Sequence, residues 1–172
     1  DETFKPDTVL KHGDIISTDE YTLETIHTPG HASNHLCFYI EKYKCLLTGD
    51  HIMDGSTVVI APPDGNMTEY INSLKLLEQY DISYFAPGHG NYMEEPSKTI
   101  QSIIRHRLSR ESKVLRCIEK NQQSNLDELL PLVYNDVSEM LHPIARMSLL
   151  AHIIKLEHDG KIRNIENCYS SF

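Results

Sequence analysis

Residues 27–89 open with HTPGHASNHLCF (27–38), pass through CLLTGDHIM (45–53) and close with YFAPGHG (84–90). Each piece sets a metal-capable side chain on a tight turn just after an apolar run: His31, Asp50 and His89 in turn. Neutral imidazole together with carboxylate suits zinc, iron or manganese. Gly30, Gly49, Gly88 and Gly90 flank the candidates and allow sharp turns and close approach to a ligand. A hydrolytic metal site needs ligands held rigidly and one position open to water, whose pKa the ion lowers towards ~7. Turns at strand ends meet that need, because a sheet fixes the backbone while the side chain reaches outward.

The surrounding chain reads as strands and one helix. DETFKPDTVLKHGDII (1–16) reads as irregular chain leading to a turn at Gly13–Asp14. YTLETIH (21–27) alternates as a strand and stops at Pro29–Gly30. LCFYI, the polar turn EKYK and CLLTGD form a hairpin over residues 36–48. After Pro62–Pro63 a helix begins, with Asn66 as N-cap and Glu69 as the reciprocal member of a capping box. Tyr70, Ile71, Leu74, Leu77 and Tyr80 give it an apolar stripe. ISYFAP (82–87) is a further short strand, so the order is β–β–β–α–β.

Beyond Pro96 the pattern turns helical. Ile100, Ile103, Ile104, Leu108, Leu115 and Ile118 fall on one side of a long helix, and Arg105, Arg110, Lys113, Arg116 and Lys120 on the other. A second helix starts near Asn125, with Glu128 as capping partner, and Pro131 is expected to break or restart it. A third starts at Pro143, with Ile144, Met147, Ala151 and Ile154 on its expected buried side. HDG (158–160) stops it, and KIRNI (161–165) begins a short strand. Three helices closed by a β-hairpin make the pattern of a winged helix.

Charge divides the 172 residues near the same place. Residues 1–96 carry sixteen Asp or Glu against five Lys and no Arg, while residues 97–172 carry eleven Lys or Arg against nine acids and hold all six arginines. Two modules, 1–96 and 97–172, follow from that shift. The acidic first module makes a poor generic nucleic-acid binder. Composition is that of an ordinary globular chain, 40% hydrophobic and 24% charged. No apolar run approaches the ~20 residues that cross a bilayer, and no signal-peptide pattern is present. Cys37, Cys45, Cys117 and Cys168 are scattered without a CxxC pair and read as reduced thiols of a cytoplasmic protein.

With HTPGH ending at His31, LLTGD ending at Asp50 and APGHG containing His89, the chain resembles the metallo-β-lactamase superfamily across roughly its whole length. The helix after APPDGNM and the C-terminal winged helix point to the branch of β-lactamase-like hydrolases with an appended winged helix. The resemblance implies an α+β fold: half of an αββα sandwich followed by a three-helix winged-helix domain. It implies that His31 completes one metal site, His89 completes a second, and Asp50 bridges both as the catalytic carboxylate. Two zinc ions would fill the complete family site, with manganese or iron as alternatives. Asp50 argues against a true class B β-lactamase, which commonly has Cys there. The 39-residue separation of Asp50 and His89 is too short for the large insert of the β-CASP branch.

One family signature, H-x-H-x-D-H, is absent, and no HxH pair occurs anywhere. The chain is therefore expected to be the C-terminal portion of a longer protein, to build only one of the two sheets, and to hold at most one ion weakly. The apolar sheet face left open calls for the N-terminal half of the fold or for self-association. Metal-bound hydroxide attacking an ester, thioester, lactone or phosphodiester is the implied chemistry of the parent protein. Small molecules or nucleic acid are the implied substrates, with no membrane partner.

Other histidines carry blander readings. His35 and His51 lie close enough to orient the ligands, or simply pack. His27 reads as a half-exposed sheet residue, and His12, His106, His142, His152 and His158 as surface or cap residues. The alternative function is a winged-helix module binding nucleic acid or protein through Arg105, Arg110, Arg116, Lys161 and Arg163. The blander view of the long helix's basic side is a solvated face.

Overall fold

Short apolar runs build one sheet, with strands adjacent in chain order: β1 (Ile15–Ser17), β2 (Thr22–His27), β3 (Leu36–Ile40), β4 (Cys45–Gly49), β5 (Tyr84–Pro87) and β6 (Met93–Glu94). A computed structural model describes residues 5–121 and 123–172, so the irregular start expected over residues 1–4 lies outside the described residues. The expected hairpin is β3 and β4, paired antiparallel with Phe38 opposite Leu47. The edge strands β1 and β6 leave no pattern in the sequence. They are three and two residues long, too short to show a period.

Strand direction decides where the three turns lie. β2, β3 and β4 alternate antiparallel, while β5 runs parallel to β4. The C-terminal ends of β2, β4 and β5 therefore share one edge of the sheet. A parallel pair needs a long crossover. Residues 50–83 supply it, carrying α1 (Met67–Leu77). Asn66 caps α1 by accepting from Thr68 N at 2.9 Å and Glu69 N at 3.1 Å. Only half of the expected capping box forms, because the Asn66 N–H donates to the Gly30 carbonyl at 2.8 Å instead. That bond ties the helix start to the His31 turn.

Tyr70, Ile71, Leu74 and Leu77 of α1 pack on Ile26, Leu46 and Phe85 from one sheet face, with Ile52, Val58 and Ile60 of the crossover. A fully buried Leu or Ile contributes roughly 1.5–3 kcal/mol through apolar area removed from water. On the other face Leu36, Phe38, Leu47 and Ala86 line an open groove of about 820 Å³. The alternation that buries Leu46 and Phe85 under α1 turns Leu47 and Ala86 to this second side.

The C-terminal part has α2 (Pro96–Lys120), α3 (Leu126–Val133), α4 (His142–His158) and the hairpin β7 (Ile162–Ile165)–β8 (Cys168–Ser171). Val114, Ile118, Leu129, Val133, Leu149, Ile153, Leu156, Ile162 and Tyr169 form a second core. The hairpin turns at Glu166 and Asn167, both with positive φ (52° and 64°), the requirement of a tight type I′ turn. At Asn125 and Glu128 the capping box is complete. α3 runs through Pro131 rather than breaking there. The helix is only two turns long, so the ring removes one hydrogen bond close to its end.

α4 is rotated from the expected phase. Leu149, Ala151, His152, Ile153 and Leu156 are buried, whereas Ile144, Met147 and Ile154 are exposed. His152, read as a surface residue, has no exposed area, and neither ring nitrogen has a partner. No helix among the described residues is long and apolar enough to cross a membrane.

Candidate metal centre at the sheet edge

The parallel β4–β5 pair brings two candidate ligands together. Gly88 N donates to Gly49 O at 2.9 Å, continuing the pairing past the strand ends. The next residues, Asp50 and His89, meet with Asp50 Oδ1 at 3.3 Å from His89 Nε2, both open to solvent. Asp54 holds the far side of the His89 turn. Its carboxylate accepts from Asn91 N and Asn91 Nδ2, each at 3.2 Å, and its N–H donates to His89 O at 3.3 Å.

His31 enters from the β2 end. Its loop is closed by Thr28 N donating to His35 O at 2.9 Å, and by the Gly30 carbonyl accepting from Asn66 N. Gly30 has φ +133°, and a Cβ there would lie 2.3 Å from Tyr70 Cα. Only glycine permits both that backbone conformation and that approach to α1. His31 Nδ1 donates to the Val59 carbonyl at 2.8 Å, which leaves Nε2 as the free lone pair. A ring nitrogen committed to a backbone carbonyl is how protein-bound imidazoles are oriented for a metal.

His35 and His51 lie between the turns. His35 Nδ1 is 2.9 Å from Thr28 Oγ1, and its ring is 6.4 Å from that of His31 and 5.7 Å from that of His51. Burial, with a further push from His31, lowers its pKa, and the Asp50 carboxylate opposes the shift. His51 is fully buried, with its ring 4.9 Å from Tyr70 and no partner on either nitrogen. Burial drives its pKa down to about 3. The ring packs edge-on against Tyr70 beside the Asp50 turn.

The donors suit a divalent ion in kind, as the orientation of His31 and the Asp50–His89 contact indicate. They fall short in number. Among the described residues no three His, Cys, Asp or Glu side chains are arranged to hold a metal ion.

The basic residues expected to contact nucleic acid divide into two groups. Arg110 does not sit on a solvated face. Its guanidinium bonds the Asp136 carboxylate at 2.7 and 2.9 Å and lies 4.5 Å from the Tyr134 ring centroid. Lys161 reaches Glu111 at 3.3 Å, and Arg163 Nε donates to Ser170 Oγ at 3.0 Å. Arg105 and Arg116 are exposed.

One residue at the heart of the packing, Arg107, is absent from the sequence reading. Arg107, 3% exposed, donates to the Val58 carbonyl and lies 5.2 Å from the Tyr70 ring centroid. Tyr70 in turn donates from its hydroxyl to His51 O at 3.0 Å. A signal was available: at 3.6 residues per turn, Arg107 and its buried neighbour Glu111 fall inside the apolar stripe of α2. Asp54 had no such signal.

Residues 1–89 match the family model described as the metallo-beta-lactamase superfamily, and residues 126–169 that of the beta-lactamase associated winged helix domain. The chain belongs to the metallo-beta-lactamase superfamily. The beta-lactamase-like protein 2 homolog of Drosophila melanogaster is 31% identical over 156 residues, which cover 90% of this chain and 52% of that protein. An atrochrysone carboxyl ACP thioesterase of Emericella nidulans is 24% identical over 156 residues, covering 89% of this chain and 50% of that protein. A metallo-beta-lactamase family protein from Thermus thermophilus superposes with a TM-score of 0.85 at 19% identity, over 98% of this chain and 55% of that one. The fold is thus shared with the superfamily, winged helix included. The chain spans about half the length of the curated relatives it matches.

Proposed function

We propose that this chain supplies one wall of a metal-dependent hydrolase centre, in which His31, Asp50 and His89 would hold zinc, with Asp50 as the ligand that two ions would share. The observation that carries the reading is the meeting of Asp50 and His89 at 3.3 Å where the parallel strands β4 and β5 end. The orientation of His31 by Val59 O supports it. The remaining ligands come, in this proposal, from polypeptide beyond these 172 residues, in keeping with the half-length span of the relatives. A bound zinc ion supplies water activated near neutral pH. This chain's part is to hold the ligands and leave their side open to water.

The substrate class is an ester, thioester, lactone or phosphodiester. The relative named as a thioesterase favours the thioester. Leu36, Phe38, Leu47 and Ala86 form the surface on which the rest of the fold, or a second copy, would seat. The four free thiols suit a reducing compartment such as the cytoplasm.

Equilibrium dialysis against zinc tests the ligand assignment. Wild-type chain should retain weakly bound zinc that is lost in His31→Ala, Asp50→Asn and His89→Ala and kept in His12→Ala. Equal retention by all five proteins would remove the assignment.

A further inference from the structure

We infer that Arg107 and Ser148, on helices α2 and α4, are positioning residues that set the orientation of His31. The role rests on the reading of His31 as a ligand. The contacts converge on three consecutive residues of the crossover. Arg107 donates to the Val58 carbonyl. Ser148 Oγ accepts from Ile60 N at 3.3 Å. Between them the Val59 carbonyl accepts from His31 Nδ1 at 2.8 Å.

The geometry of the amide makes this a coupling rather than a coincidence. Val59 C=O and Ile60 N–H belong to one peptide unit, which is planar and stiff. Ser148 holds the N–H end of that plane, and His31 binds its carbonyl end. Rotating the plane to break one bond must disturb the other. An amide whose N–H is bonded is also the more polarised acceptor. Arg107 fixes the preceding plane by its carbonyl. Its guanidinium lies against Tyr70, whose backbone would touch any Cβ at Gly30. The same side chain therefore bears on the His31 turn from two directions.

Burial makes the clamp specific. Arg107 is 3% and Ser148 7% exposed, so water does not readily replace either contact. Neither side chain approaches the Asp50–His89 pair in any contact the structure records, so both act through another residue and not on substrate. The helical part of the chain is then more than an appended module: it reaches through the core to fix one imidazole.

Two nuclear magnetic resonance readouts test this on the metal-free chain: amide hydrogen exchange at Ile60, and the tautomer of the His31 ring from long-range proton–nitrogen correlation. Wild type should show a single Nδ1–H tautomer. Ser148→Ala should raise Ile60 exchange about tenfold, the effect of one lost buried hydrogen bond, and convert His31 to a tautomer mixture. Arg107→Met should mix the tautomers, and Arg107→Lys, which keeps a donor for Val58 O, should restore much of the wild-type ratio. Ser112→Ala, on the exposed side of α2, should change nothing. A wild-type ring protonated on Nε2 overturns the inference. So does faster Ile60 exchange in Ser148→Ala with the His31 tautomer intact. Ser148→Ala decides the matter if Arg107 variants do not fold. Zinc dialysis separates this from the ligand reading: intact coupling without zinc retention sinks the ligand assignment alone, and zinc retention without coupling sinks the clamp alone.

Discussion

Acid should destabilise this protein well above the range in which carboxylates titrate, and His152 is a principal cause. The ring is wholly buried in α4 with neither nitrogen partnered. Burial, followed by the nearby positive charges of Arg107, Arg110 and Lys155 and the His106 ring, lowers its pKa from 6.5 to about 3. The folded state thus binds fewer protons than the unfolded state between those two values. Its contribution is fully present above the unfolded pKa and is lost as pH falls toward the folded one. Each pH unit inside the window costs about 1.4 kcal/mol. Moving from about pH 7 to about pH 5 should therefore remove roughly 2 kcal/mol through this one group. His51 is shifted the same way, to about 3, so wild type alone cannot apportion the loss. Urea unfolding followed by circular dichroism on wild type and His152→Leu, at both pH values, isolates it. The variant should lose roughly 2 kcal/mol less than wild type over the interval. Parallel losses in the two proteins would refute the reasoning.

Gly30→Ala should lower stability by at least about 2 kcal/mol, because its Cβ meets the Tyr70 backbone at 2.3 Å in a left-handed conformation; urea midpoints measure it. The Asp136 carboxyl is held well below the usual range, first by its bonds to Arg110 and then also by Lys113. Its contribution is present above about pH 4 and fades as pH drops below that. Asp136→Asn should flatten thermal unfolding curves in that acid window by under about 1 kcal/mol, since the side chain is half exposed. Phe38→Ser, on the open groove face, should shift the sedimentation distribution toward monomer with the unfolding midpoint nearly unchanged. An unchanged distribution would exclude that face as the site of self-association.

The turns at His31, Asp50 and His89 were legible because each is a local device: an apolar run, a Pro or Thr, a Gly, then the ligand. Their common edge was not, since it depends on β4 and β5 being parallel, a property of tertiary arrangement. The phase of α4 is not legible in the sequence, for a physical reason. Ile144, Met147, Leu149, Leu150, Ile153 and Ile154 surround the helix, so no face stands out as the apolar one. Packing against α2, α3 and β7 settles it. Arg107 shows the opposite case. A charge set inside an apolar stripe was visible, but its partners, Val58 O and Tyr70, lie far away in sequence.

If the three strand-end turns line one metal centre, a paramagnetic ion must reach all of them. Titrating cobalt(II) into isotopically labelled chain and mapping paramagnetic broadening tests this directly. Broadening should centre on Gly30–His31, Gly49–His51 and Gly88–Gly90 at substoichiometric cobalt, all three fading together in His89→Ala. Broadening centred on His12, His106 or His158, or confined to one of the three turns, would contradict a shared centre.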